Sequence, residues 1–282
     1  MQRISPFLWF DGQAGEAAKF YTSVFKNSKI KSLTPVSAAF TLDGLEFIAL
    51  NGGPQFKFTP AISFFVACET REELDAAWAK LSEGGMVLMP LATYPFSEKF
   101  GWVQDKFGVS WQLNLAGRSQ EISPFFMFVG EQHGRAGAAM ALYLSVFENS
   151  SMTHIERYGA GEAEPEGTIK HARFSLSGQS FMAMDSGRGH PFAFTPAISL
   201  FIRCETQKEI DYFWEKLCVG GEKGQCGWLK DKFGVSWQII PPILGDLLND
   251  EDNEKSNRVM QAMLKMDKIE ITGLQQAYDG KK

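Results

Sequence analysis

The sequence predicts an α+β fold built twice in tandem, and three observations carry that prediction. A long phrase-by-phrase repeat runs through the chain, a strand–helix–strand order recurs inside each copy, and 44% of the 282 residues are hydrophobic. Two packed cores can form from such a composition without staples. "FKFTPAISFFVACET" (Phe56–Thr70) returns as "FAFTPAISLFIRCET" (Phe192–Thr206), and "ISPFLWFDG" (Ile4–Gly12) as "ISPFFMFVG" (Ile122–Gly130). "YTSVFKNS" (Tyr21–Ser28) returns as "YLSVFENS" (Tyr143–Ser150), and "GWVQDKFGVSWQL" (Gly101–Leu113) as "GWLKDKFGVSWQI" (Gly227–Ile239). Self-similarity at so long a period marks a duplication. It places a first domain at 1–115, a short polar joint at 116–120, a second domain at 121–245 and a tail at 246–282.

The elements of each copy follow one order. Ile4–Phe10 alternates as a strand, and Glu16–Phe25 sets Ala17, Phe20, Tyr21 and Val24 on one helical face. Strands then run to Asn51, broken at the turn pair Asp43-Gly44, and Ala61–Cys68 reads as a further strand. Thr70 with Glu73, and Thr206 with Glu209, match a capping box that starts a helix; Gly84-Gly85 and Gly220-Gly221 end those helices. Strands closing on "FGVSWQLNL" complete the copy. Each copy is thus two βαβββ modules. Asp105 and Asp231, in "DKFG", are read as turn formers rather than acids, and Trp111 and Trp237 as packing beneath the helices.

Charge and composition narrow the partners. A net charge of −5 without a Lys/Arg run gives no attraction for nucleic acid or an anionic membrane. The start "MQRISPFLWF" has no signal-peptide core, and no apolar stretch approaches about 18 residues, so a cytoplasmic protein is expected. Cys68, Cys204, Cys218 and Cys226 lack CxxC spacing and read as reduced thiols.

Two βαβββ modules per copy, with phrases such as "SPFLWFDG", "FTPAIS", "GGEKGQCGWLKDKFGVSWQ" and "RVMQAMLKMDKIEI", resemble the vicinal oxygen chelate superfamily of glyoxalase I, extradiol dioxygenases and bleomycin-resistance proteins. More narrowly they resemble its PhnB-like branch, often labelled 3-demethylubiquinone-9 3-methyltransferase. The likeness covers nearly the whole chain. It implies glyoxalase-like domains whose modules form a cupped mixed sheet with helices on the outer face. It also implies an internal pseudo-dimer that leaves room for a homodimer.

In metal-binding members of the superfamily, the first and last strands of each module offer a divalent ion residues such as His and Glu. The positions matching that pattern are Ser5, Phe47, Ala61 and Gln112 in copy one, and Ser123, Phe181, Ala197 and Gln238 in copy two. Neither quartet has the charged donors a divalent cation needs, even if a one-residue shift exchanges Phe47 for Glu46. His133, His154, His171 and His190 all lie away from these positions. The expectation is a cup without metal and without cofactor.

Strand parity then names the lining. The first cup presents Ser5, Phe7, Trp9, Ser63, Phe65, Ser110 and Gln112; the second presents Ser123, Phe125, Met127, Ser199, Phe201, Ser236 and Gln238. An aromatic hollow with a few hydroxyls and an amide suits a small-molecule ligand. The same rings could instead plug the cavity, and both readings stand at this point.

The copies differ in their loops. Met86–Phe100 is long where copy two has only "EKGQC", and Arg157–Phe174 is long where copy one is short, so the two pockets should be unequal. Cys226 beside Trp228 could act as a nucleophile if a base such as His171 served it, but an inert thiol is favoured. No glycine turn has the strand-to-helix spacing of a methyl-donor site, and "GAGEAEPEG" (Gly159–Gly167) is acidic. In the tail, Val259, Met260, Met263 and Leu264 recur at helical spacing and need a surface to cover. The functional expectation is a binder of a small organic molecule. Two alternatives remain open: an enzyme (lyase, isomerase or group transfer, methyl transfer included) with an acid or base not yet placed, and a protein that sequesters a drug or metabolite.

Overall fold

The alternating runs fold as strands and the capped runs as helices. A computed structural model describes residues 2–281, whose contacts divide into a larger body, Ser5–Ile198, and a smaller one of 2–4 with 199–281. Four βαβββ modules follow one another along the chain, which establishes the duplicated α+β fold. The first is β1 (Ile4–Phe10), α1 (Ala14–Val24), β2 (Lys29–Leu33), β3 (Ser37–Leu42) and β4 (Leu45–Asn51). The second is β5 (Ile62–Cys68), α2 (Arg71–Ser82), β6 (Met86–Tyr94), β7 (Ser97–Gln104) and β8 (Ser110–Leu115). Then come β9 (Glu121–Phe128), α3 (Ala136–Val146), β10 (Ser151–Arg157), β11 (Ile169–Leu176) and β12 (Gln179–Asp185). The fourth is β13 (Ile198–Arg203), α4 (Gln207–Cys218), β14 (Glu222–Lys223), β15 (Trp228–Lys230) and β16 (Ser236–Ile240). Three tail helices follow: α5 (Pro242–Leu248), α6 (Asn253–Met263) and α7 (Ile271–Asp279). Among the described residues no helix is long and apolar enough to cross a membrane.

In the larger body one sheet has the strand order β10-β11-β12-β9-β5-β8-β7-β6. At its centre β5 and β9 pair antiparallel, with Phe65 opposite Ser123 and Ser63 opposite Phe125. The second module of copy one therefore shares a sheet with the first module of copy two. This corrects the grouping read from sequence, which gave each copy its own cup. The remaining strands of that body run β1-β4-β3-β2, and those of the smaller body β14-β15-β16-β13.

Helix termini follow the local chemistry. Thr206 accepts from Glu209 N while the Glu209 carboxylate accepts from Thr206 N, a complete capping box. At Thr70 the hydroxyl accepts from Glu73 N, and the Glu73 carboxylate accepts from Glu69 N as the Glu209 carboxylate does from Glu205 N. The "DKFG" aspartates act as predicted: Asp105 Oδ1 accepts from Phe107 N and Val109 N, and Oδ2 accepts from Trp111 Nε1 at 2.8 Å. Asp231 repeats the set with Phe233, Val235 and Trp237.

Trp111 is fully buried among Tyr21, Phe25 and Phe64, at ring separations of 5.1, 5.0 and 5.2 Å. Each such ring contributes about 1.5–3 kcal/mol of burial. Phe47 stacks on Phe40 at 5.5 Å and Phe181 on Phe126 at 6.0 Å, in this same apolar layer. Both were assigned to the cup by the family pattern; the register puts them on the opposite face. On β4 the cup-side neighbour is Glu46, which pairs with Lys31 at 3.1 Å.

In the smaller body the tail covers the strands. Val259, Ile269 and Leu274 are fully buried with Ile240, Leu244 and Leu247, and Phe201 and Met263 pack against this cluster. Cys226 N and Gly227 N donate to Met266 O and Asp267 O at 2.7 Å each. In copy one the equivalent residues, Phe100 and Gly101, belong to β7, and β7 pairs with the long β6. The tail thus stands in for the hairpin that copy two lacks, although Met260 and Leu264 stay exposed.

Candidate ligand-binding cup

The inner face of the eight-stranded sheet follows from its register. Ser123 and Phe125 on β9 align with Phe65 and Ser63 on β5, Met127 two residues on shares their face, Phe65 aligns with Gln112 on β8, and Gln112 with Trp102 on β7. The Phe65 and Phe125 rings lie 6.5 Å apart and nearly parallel. Gln112 Nε2 donates to Ser63 Oγ at 2.8 Å and Trp102 Nε1 to Ser110 Oγ at 2.7 Å. The Ser63 contact orients the Gln112 amide and leaves its carbonyl oxygen as the group able to accept from a ligand.

One end of this cup is filled. Phe100, Trp102, Met127 and Val129 form a buried cluster, roofed by Leu88, Met89 and Tyr94 of the long hairpin, with Phe192 and Met184 alongside. The plugging expected as an alternative to binding occurs there, through the segment Met86–Phe100 that copy two lacks.

The other end is polar. On β12, Met182 aligns with Phe125; on β11, Arg173 aligns with Met182, and His171 two residues away shares its face. The His171 ring is half-buried, 6.3 Å from the Phe125 ring and 5.7 Å from that of His154 on β10. Arg173 Nη1 donates to Glu121 Oε2 at 2.8 Å, and Arg118 Nη2 lies 3.0 Å from the same oxygen. Burial pushes the Glu121 carboxyl up, but hydrogen bonds from Ser180 and Arg173 and the two arginine charges outweigh it and hold the group below the usual range. Burial first, then the charges of His154 and Arg173, lower the His171 pKa, with Glu156 opposing them. His171 and Arg173 were not among the predicted lining residues. Their copy-one counterparts, Ser37 and Ala39, carry neither function, so loop comparison pointed to the right segment without naming the residues.

The other predicted lining residues lie elsewhere. Ser5, Phe7 and Trp9 sit on β1, outside the sheet that holds β5 and β9. Trp9 Nε1 donates to Gly53 O at 2.8 Å, and the Trp9 ring meets Phe56 at 5.0 Å beside a cleft of about 280 Å³ that also touches Phe58 and Phe107. Ser199, Phe201, Ser236 and Gln238 belong to the smaller body, where Gln238 Nε2 donates to Ser199 Oγ at 2.8 Å and the tail cluster packs on Phe201. Cys226 donates to Met263 O, and burial raises its pKa, the opposite of what a nucleophile requires.

The donors present do not fit the divalent ion of the superfamily. Serines and one amide stand where imidazole and carboxylate would be needed, and among the described residues no group of three His, Cys, Asp or Glu could hold a metal. A methyl donor finds no cradle either: Gly84 and Gly220 end helices with φ near +70°, and in the Gly159–Gly167 loop Glu162 accepts from Gly159 N and faces Lys170.

Four βαβββ modules and an aromatic cup define a protein of the vicinal oxygen chelate type. The family model described as 3-demethylubiquinone-9 3-methyltransferase matches residues 2–114 and again 120–240, and the chain belongs to that family. A PhnB protein from Bacillus cereus is 49% identical over 41% of this chain and 100% of its own, with a TM-score of 0.40. Glyoxalase I from Zea mays covers 84% of this chain and 90% of its own at 10% identity and a TM-score of 0.56, a likeness of fold alone. No curated protein matches the chain.

Proposed function

We propose that the protein binds a small organic molecule at the polar end of the eight-stranded sheet, beside His171 and Arg173. One observation supports this above the others: His171 and Arg173, both half-buried, share one face of β11 and form a polar rim beside the apolar wall made by the buried Phe125. An apolar floor with a few placed polar groups is how small ligands are held. The filled hairpin end sets the depth of the site, and the tail-covered strands of the smaller body leave it as the better formed of the two pockets. The acidic net charge and free thiols support a cytoplasmic setting. Methyl transfer, the activity in the family's description, has no donor cradle supporting it here, and binding is the reading adopted. Equilibrium dialysis with 4-nitrophenol tests it: Arg173→Ala should weaken binding about tenfold, the loss of one charge-assisted hydrogen bond at the rim. Unchanged affinity in that variant contradicts the assignment.

A further inference from the structure

We infer that the cleft beside Trp9 and Phe56 is a second binding site, separate from the cup. Its ligand class is a zwitterion bearing an apolar or aromatic group, the chemistry of a free hydrophobic amino acid. The cleft, about 280 Å³, is lined by the rings of Trp9, Phe56, Phe58 and Phe107 together with Asp11 and Lys57. That volume suits a small molecule, since ligand pockets start at about 300 Å³.

The aromatic wall is held in place by its backbone. A Cβ at Gly52 would lie 2.2 Å from the Trp9 ring, so the indole rests where only glycine leaves room. Trp9 Nε1 donates to Gly53 O at 2.8 Å, which fixes the ring, and Phe56 meets it edge-on at 5.0 Å and 69°. Phe58 stands 5.0 Å from the buried Phe10 ring. Trp9, Phe56 and Phe58 nevertheless stay partly exposed around the cleft, an apolar surface for a ligand to cover.

The repeat supplies an internal comparison. In copy two Met127 replaces Trp9, Ser186 replaces Gly52, Val129 replaces Asp11 and Ala193 replaces Lys57. There the His190 ring lies 4.9 Å from Phe192, the equivalent of Phe56, and Met127 and Val129 are buried in the cluster that Phe192 packs against. A charge of each sign thus stands in the copy where the hollow is open, and apolar residues take those two positions where it is filled.

The two charges are available. Asp11 and Lys57 are exposed, and among the described residues neither side chain pairs with the other or with a third group. Lys106 is otherwise engaged: its ammonium lies 4.9 Å from the Phe107 ring and 5.1 Å from that of Phe20, and pairs with Glu16 at 3.2 Å. A ligand ammonium would meet Asp11 and the neighbouring ring faces, its carboxylate would meet Lys57, and its apolar group would lie among the rings.

Isothermal titration of the full chain with L-phenylalanine, phenethylamine and 3-phenylpropionate tests this. Phenylalanine should bind saturably, and each singly charged analogue about twofold to fivefold more weakly, the loss of one partly exposed ion pair. Asp11→Asn should weaken phenylalanine and phenethylamine and spare 3-phenylpropionate; Lys57→Met should weaken phenylalanine and 3-phenylpropionate and spare phenethylamine. Gly52→Ser, checked for wild-type circular dichroism, should displace the indole and weaken all three. Absent phenylalanine binding, analogues that bind as tightly as phenylalanine, or affinities unmoved by both charge variants overturn the site. Phenylalanine binding lost in Arg173→Ala overturns it too, because that result places the ligand in the cup.

Discussion

Thr59 Oγ1 donates to Ala193 O at 2.7 Å, and its repeat partner Thr195 donates to Lys57 O at the same distance. Lys57 and Ala193 are themselves equivalent, so each copy clasps the other by one reciprocal contact. Trp9 N to Ala197 O and Met127 N to Ala61 O, both 2.8 Å, obey the same rule. Residue i touching j′ while j touches i′ is the mark of an isologous interface, here inside one chain. The "FTPAIS" phrase occurs twice because it faces its own copy. Thr59→Val and Thr195→Val should each lower stability by about 0.5–1.5 kcal/mol, read as a fall in the thermal midpoint. Unaltered midpoints would mean that water replaces these bonds at no cost.

Glu121 links the polar end of the cup to acid stability. Its folded pKa lies below the unfolded value, so the ionised carboxylate stabilises the fold at neutral pH, and that contribution fades as pH drops below the unfolded value of about 4.3. Glu121→Gln should therefore cost stability at pH 7 and narrow the gap to wild type toward about pH 3, in chemical unfolding followed across pH. A gap constant over that range would place the carboxylate outside the coupling with Arg173.

Thiol reactivity should divide by burial. Cys68 and Cys204 are fully buried and burial drives each pKa up to about 12, so both should resist iodoacetamide in the native protein and react on unfolding. Cys218 and Cys226, partly exposed, should react first. Peptide mass spectrometry reads the order, and early labelling of Cys68 would contradict the packing of β5.

The tail is held by burial, so it should loosen when the burial is cut. Leu274→Ala removes a fully buried side chain at a cost of about 2–5 kcal/mol. Hydrogen exchange should speed up in α6, α7 and at Cys226 and Gly227, whose amides donate to the tail. Acceleration confined to α7 would show that the tail does not brace that strand entrance.

Much of this architecture was legible in the chain. The repeat, the capping threonines, the "DKFG" turns and the buried Trp111 and Trp237 depend on neighbours a few residues away, and local chemistry settles them. The family pattern misplaced Phe47 by one residue because "LEFIALN" is apolar on both faces, which hides the alternation. The exchange of modules between copies depends on β5 meeting β9, a pairing that no local pattern encodes. His171 was considered only as a base for Cys226 and not as a lining residue, because β10 and β11 pair through two register shifts and lie in a segment without a full counterpart in copy one.

A crystal soaked with 4-nitrophenol tests the central claim most directly. The account predicts density for the probe beside His171 and Arg173, with no metal chelated by side chains of the sheet. A divalent ion held in that sheet, or the probe lodged only beside Trp9 and Phe56, would contradict it.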